Sequence, residues 1–309
     1  MALGVLKDEA TYYENNEKYT GRSGSSTNMY IIEDVYDFVG VLKQPATIGD
    51  SYYIRLINDI DFNDHSTYKR GISSAIYDNN NYYLYGDNHK IKNIVVINAT
   101  SNILKFQHIE KVDFVNLVAV NCSVFPVAMV NAENCDFGIF VSNSFLSFTV
   151  YNTDIKIIDC TFNIKGKTKT SGLICAYRST FQACHFNVDV NVPFSNGTYI
   201  FTIGMNDTRQ STYVNCYFTG KINNSGSSSI YFAERTQFTN CYFALEWAGS
   251  YYEHTHNGST FSSCFVDKEL FNKNGNNWLS LSGVAELTTA QAQDAEYLNS
   301  IGFLVISVE

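Results

Sequence analysis

Chemistry-bearing side chains crowd into one stretch, LEWAGSYYEHTHNGS at residues 245–259. Glu246 and Glu253 flank its WAGSYY core. Two carboxylates facing each other across a groove are what cleavage of a glycosidic bond requires. One gives a proton to the leaving oxygen and the other acts as base or nucleophile. The competing reading is two solvated turn residues, the ordinary situation of a carboxylate. The other acids near turns, such as Asp154, Asp159, Asp189 and Glu234, recur in no frame that forces two together, so solvated turns are the preferred reading and no catalytic residue is assigned. In the same stretch, Trp247, Tyr251, Tyr252, His254 and His256 offer rings with a polar edge. Such rings stack on sugars, and they equally pack against a neighbouring coil or a partner subunit. His254 and His256 project the same way from a strand, and three such pairs on a threefold axis would surround a metal ion. A lone His-x-His is too little for a metal assignment, and neither metal nor cofactor is expected.

A second constellation is cationic. Arg178, Arg209 and Arg235 precede a cysteine by 6, 7 and 6 residues, which places them at nearly the same turn of successive repeats. A column of like charges either splays into water or is answered by an anion, here an acidic glycan or carboxylates of an adjacent subunit.

The elements that would position these groups are set by a repeat. TYVNCYFTG (212–220) returns as QFTNCYFAL (237–245), with looser copies around the remaining cysteines of the frame. Cys135, Cys160, Cys184, Cys216, Cys241 and Cys264 are separated by 25, 24, 32, 25 and 23 residues. A period of 23–25 residues built from short apolar segments and polar turns marks a solenoid. The fold class expected is all-β, a single-stranded right-handed parallel β-helix. Alternation along FTNCYFAL groups Cys241, Phe243 and Leu245 on one parity and Phe238, Asn240, Tyr242 and Ala244 on the other. The cysteine and the phenylalanine two residues on are expected inside, each cysteine a small apolar filler stacked coil on coil about 4.8 Å apart. Disulfides are not expected from one cysteine per coil, and no C-x-x-C pair suggests zinc.

The ends break the pattern. Val35, Phe38, Val39 and Leu42 lie at i, i+3, i+4 and i+7, with Asp34 as cap and Pro45 as stop, so a short helix should plug the first coil and shield its open edge. In LTTAQAQDAEYLNSIGF (287–303), Thr288 and Gln291 form a capping box and Gly302 is the stop of a second capping helix. The organisation expected is an attachment arm with a flexible joint over 1–30, the first capping helix over 31–50, the β-helix over 51–285, and the second capping helix with an end strand over 286–309.

Composition narrows the partners. The net charge of −9, with lysine and arginine scattered along the chain, makes duplex nucleic acid a poor partner. No apolar run reaches membrane-spanning length and the first residues do not read as a signal peptide. The eight cysteines are therefore expected as thiols of a chain folded in a reducing cytoplasm.

One segment carries a resemblance. Asn58, Asp59, Ile60, Asp61 and Phe62, followed by Gly86, Asp87, Asn88, His89, Ile91, Asn93 and Ile94, are similar to the opening coils of pectin-lyase-like right-handed parallel β-helix proteins. The tail at 287–303 looks like the segment that closes such repeats in gut bacterial and phage surface proteins. With the arm and the missing leader, the plan resembles a phage virion protein of head-fibre, tail-fibre or tailspike type. The resemblance implies a structural component located in the virion, bound to other virion proteins through its arm, projecting outward toward host surface polysaccharide, and trimeric as such fibres commonly are. The alternative it implies is a tailspike-like polysaccharide depolymerase, a hydrolase or lyase.

Overall fold

The structure is a computed structural model. It describes residues 25–27, 29–43, 51–73, 81–100, 102–122, 127–144, 154–168, 179–192, 198–201, 211–224, 230–233, 235–248, 258–271 and 282–301. Every strand pairing among them is parallel, and nineteen strands join in one sheet that winds into a parallel β-helix.

Each coil contributes a strand to two ladders that meet at a corner. The first ladder runs through Ser51–Leu56, Val127–Glu133, Ile155–Ile158, Ser179–Gln182, Ser211–Val214, Thr236–Thr239 and Thr260–Ser262. The second runs through Asp136–Ser144, Thr161–Thr168, His185–Val192, Tyr217–Asn224, Tyr242–Ala248, Cys264–Asp267 and Val284–Leu287. Two longer strands, Asn81–Lys92 and Leu104–Val120, pass through both.

The corner explains the repeated Asn-Cys. Asn134, Asp159, Ala183, Asn215, Asn240 and Ser263, each just before a frame cysteine, all have φ of 48–54°. Asparagine and aspartate enter this left-handed region most readily among residues with a side chain. The single left-handed residue also resets the alternation. Phe238 and Cys241 are both buried although they differ in parity, so expecting the parity of Phe238 to face outward is corrected: Asn240 lets both sides of the corner point in. Ala183 occupies this position without a side chain that favours it, which costs about 1 kcal/mol. Ala183→Asn should raise stability by that amount in urea unfolding, and an unchanged midpoint would refute the corner argument.

Inside, the second ladder stacks Phe114, Phe137, Phe162, Phe186, Phe218 and Phe243 with centroids 4.9–5.1 Å apart. The first stacks Phe181, Tyr213, Phe238 and Phe261 at 4.7–5.1 Å. The columns touch edge to face, as Phe181 on Phe186 at 70°. The frame cysteines are buried free thiols. At five of the six, Sγ donates to a carbonyl of the preceding coil at 3.4–3.7 Å. Burial pushes the Cys160 and Cys216 thiols far above their ordinary pKa, which fits packing groups rather than nucleophiles.

Helix α1, Val35–Leu42, is capped by Asp34 Oδ1, which accepts from the Tyr36 and Asp37 amides at 2.9 Å. Its Phe38 packs edge-on to Phe62 of the first coil. Pro45 and Gly302 lie outside the described residues. At the far end, α2 (Lys268–Phe271) is capped by buried Asp267. The tail differs from the single helix expected. It forms α3, Thr289–Ala292, with the Thr288–Gln291 capping box, and α4, Ala295–Ser300, with its own cap at Asp294. Asp294 takes the Tyr297 amide at 3.0 Å and so starts a new helix where one was to continue. Leu298 and Ala292 pack with Leu287 on the outer side of Tyr242, so the tail covers the outside of the last coils.

Candidate functional site

The outward face of the second ladder carries three rows, read directly from register. One row is Lys90, Asp113, Asp136, Thr161, His185, Tyr217 and Tyr242. The next is Gly138, Asn163, Asn187, Thr219 and Ala244, each following the buried phenylalanine of its coil. The third is Val118, Phe140, Lys165, Asp189, Lys221 and Glu246.

A change of cross-section opens a groove in this face. The early coils have an extra corner at Asn93 (φ 62°) and Asn116 (φ 58°). In the next coil the strand runs straight through Gly138. Val115 and Asn116 therefore oppose one residue, a bulge marked by the register jump from Phe114↔Phe137 to Leu117↔Ile139. The step leaves a cavity of about 580 Å³ lined by Asp113, Asn116, Asp136, Phe140, Asn163 and Lys165 around Gly138. Phe140 is 49% exposed, one of only two large hydrophobic side chains so exposed among the described residues.

Charge and hydrogen bonding are organised around the groove. Asp113 and Asp136 occupy paired positions on adjacent rungs. Burial first, and then the Asp136 carboxylate, push the Asp113 carboxyl above its usual value, with Lys90 opposing. Asn187 Nδ2 donates to Asn163 Oδ1 at 3.1 Å, and the Thr219 hydroxyl donates to Asn187 Oδ1 at 3.4 Å. Thr219 also meets His185 Nε2 at 2.8 Å. Burial holds His185 below the usual histidine pKa, keeping a neutral ring in this chain of contacts. On the other side, Asn116 Nδ2 donates to Asn93 Oδ1 at 3.1 Å and Asn93 Nδ2 to Asp61 Oδ1 at 2.8 Å.

The residues singled out by sequence fare differently. Trp247 is fully buried in the core, so its expected role as a surface contact is corrected. It shares the inward parity of Cys241, Phe243 and Leu245, and its ring fills the coil. Glu246 faces outward and pairs with Lys221 at 3.0 Å. Glu253, Tyr251, Tyr252, His254 and His256 lie outside the described residues, as do Arg178 and Arg209. Arg235 is half-buried with φ 48°. The groove residues were missed, though a signal existed: KVDFVN and NCDFGI set Asp113 and Asp136 at one position of the repeat, and DFG, TFN and HFN set Gly138, Asn163 and Asn187 at another. Among the described residues no three His, Cys, Asp or Glu side chains cluster to hold a metal ion, and no helix is long and apolar enough to cross a membrane.

No family model and no curated protein matches this sequence. A solved structure from Bacteroides ovatus, described as a "putative immunoglobulin A1 protease", is similar, with a TM-score of 0.50 at 15% identity over 95% of this chain and 91% of that one. At that identity the likeness is one of fold, and it agrees with the ladders above: the chain is a parallel β-helix.

Proposed function

We propose that this chain is a non-enzymatic fibre or decoration component of a phage virion, a rigid solenoid that stands outward and binds surface polysaccharide in the groove at Gly138. The observation that carries the binding role is the groove itself, where exposed Phe140 lies beside the polar groups of Asp113, Asp136, Asn116, Asn163 and Lys165. A sugar presents apolar C–H faces and hydroxyl edges, and this lining offers a partner for each. The virion setting is supported by the resemblance of the tail at 287–303 to the segment that closes such repeats in gut bacterial and phage surface proteins, whereas residues 58–62 and 86–94 resemble pectin-lyase-like β-helices in general and support the fold. The name carried by the Bacteroides ovatus neighbour is not carried over on a likeness of fold.

The test is binding of the purified full-length chain to an array of bacterial surface polysaccharides, with its native mass measured by light scattering. Binding is expected, weakened about tenfold in Phe140→Ala through loss of roughly 1.4 kcal/mol of ring contact, and the mass should be that of a trimer. Binding to no polysaccharide would sink the ligand role, and a monomer would remove the trimeric fibre from it. The second reading, a depolymerase, is favoured by the Asp113–Asp136 pair: adjacent rungs stand about 4.8 Å apart, close to the separation of about 5–5.5 Å in retaining glycosidases. It requires release of oligosaccharides from a bound polysaccharide, abolished by Asp113→Asn.

A further inference from the structure

The side-chain amides of the outer face form a column with a missing rung. On the N-terminal side, Asn116 gives its Nδ2 to Asn93. That leaves its Oδ1 as an acceptor on the groove side. On the C-terminal side, Asn163 takes the Nδ2 of Asn187 on its Oδ1, which leaves its own NH₂ as a donor on the groove side. Both halves have one polarity, each rung donating toward the N-terminus. The rung between them is Gly138, paired with Asn163 and opposite the Val115–Asn116 bulge. It has no side chain to connect them. Asn116, Gly138 and Asn163 all line the same cavity.

We propose that the gap at Gly138 is a slot for one amide group of the ligand, and that the polysaccharide bound here carries 2-acetamido sugars. The inference rests on the saccharide-binding reading above. An acetamido group placed between the two asparagines accepts from Asn163 Nδ2 through its carbonyl and donates its N–H to Asn116 Oδ1. The two flanking rungs are about 9.6 Å apart, twice the strand spacing, which is the height of one inserted amide with a hydrogen bond on each side. The column already polarises both asparagines in the required sense, so the ligand amide completes a cooperative chain. Asn187, Thr219 and His185 are positioning residues, holding the Asn163 amide in its orientation. A single slot fits an isolated amide better than an extended peptide, whose amides recur about every 3.4 Å.

The test is ligand-observed saturation-transfer NMR on the full-length chain. The probes are N-acetylglucosamine and N-acetylgalactosamine, with glucose and galactose as the amide-free counterparts. Saturation should be strongest at the acetamido methyl, and at least one acetamido sugar should bind at least tenfold more tightly than its counterpart. Gly138→Asn supplies the missing rung. A Cβ there meets Phe114 O at 3.3 Å, a contact that needs a shift of a few tenths of an ångström. This variant should keep its melting temperature and lose acetamido binding at least tenfold. Asn163→Asp removes the donor while keeping the acceptor for Asn187, and it carries the test should Gly138→Asn not fold. Equal saturation of sugars with and without the acetamido group, or binding untouched by both variants, overturns the slot. Polysaccharide binding that still depends on Phe140 would then leave the binding role intact. Equal competition by N-acetylglycine methylamide would show that the site takes any amide and would overturn the sugar assignment.

Discussion

Phe162→Ala should destabilise the solenoid by about 3–5 kcal/mol, the range for emptying a buried phenylalanine site. Phe162 is fully buried at the middle of the longer aromatic column. Its ring lies 4.9 Å from Phe137 and 5.0 Å from Phe186, each within 5° of parallel, and it meets Phe181 edge-on. The backbones of these coils are tied rung to rung by parallel pairing, so they cannot close the hole and the cavity cost is retained in full. In a solenoid each coil rests only on its neighbours. Loss at the centre therefore weakens the coupling between the two halves as well as the total. Urea unfolding followed by tyrosine fluorescence should show an earlier and broader transition, the two halves separating. Phe140→Ala, on the outward face, should stay within about 0.5 kcal/mol of the parent. A loss below 1 kcal/mol for Phe162→Ala would mean that the column does not carry the fold.

The column of phenylalanines two residues after the cysteines was the part of the fold most legible in the sequence, because a solenoid writes the same contact once per coil. Cysteine spacing and the Cys-x-Phe pair located the coil and its interior side without further information. Helix α1 was equally legible, since Asp34 and the Val35, Phe38, Val39, Leu42 stripe are local signals. The corner was less so. Asparagine before cysteine reads as an ordinary strand residue until its backbone is seen to be left-handed, and the alternation carried across it put Phe238 on the wrong side. Trp247 was misread for a different reason: its neighbours in the stretch drew it to the surface, whereas the frame that placed Cys241 inside also places Trp247 inside.

The groove depended on something no single repeat contains. Asp113, Gly138 and Asn163 are each unremarkable in their own coil. They become neighbours only because the corner at Asn116 ends and the following coil runs straight. The site therefore lies at the place where the repeat departs from itself. That is also where binding function can be added to a solenoid without disturbing the longer aromatic column, which passes beneath it unbroken through Phe114, Phe137 and Phe162.

Acid should loosen the N-terminal end of the solenoid before the rest, through His65. Its ring is fully buried between Tyr36 and Tyr68, with centroids 4.7 and 4.5 Å away. Its Nδ1 accepts from the amides of Thr67 and Tyr68 at 3.1 Å each, so the neutral ring carries its proton on Nε2. Protonation puts a hydrogen on Nδ1 against two donors and a charge in a buried site close to the Lys43 ammonium. Burial, with Lys43 adding to it, depresses the pKa to about 4 from 6.5. With the folded value the lower one, the unfolded chain binds more protons, and stability falls as pH drops below about 6.5 until the folded ring titrates. The contribution lost by pH 4.5 is on the order of 2–3 kcal/mol. Hydrogen exchange should show α1 and residues 62–72 opening more readily at pH 4.5 than at pH 7, by more than the central coils do. His65→Asn keeps an acceptor for the two amides and cannot titrate, so its pH dependence at this end should be flatter by the same amount, whatever its stability at pH 7. Parallel curves for the parent and the variant would show that His65 does not carry the acid sensitivity of this end.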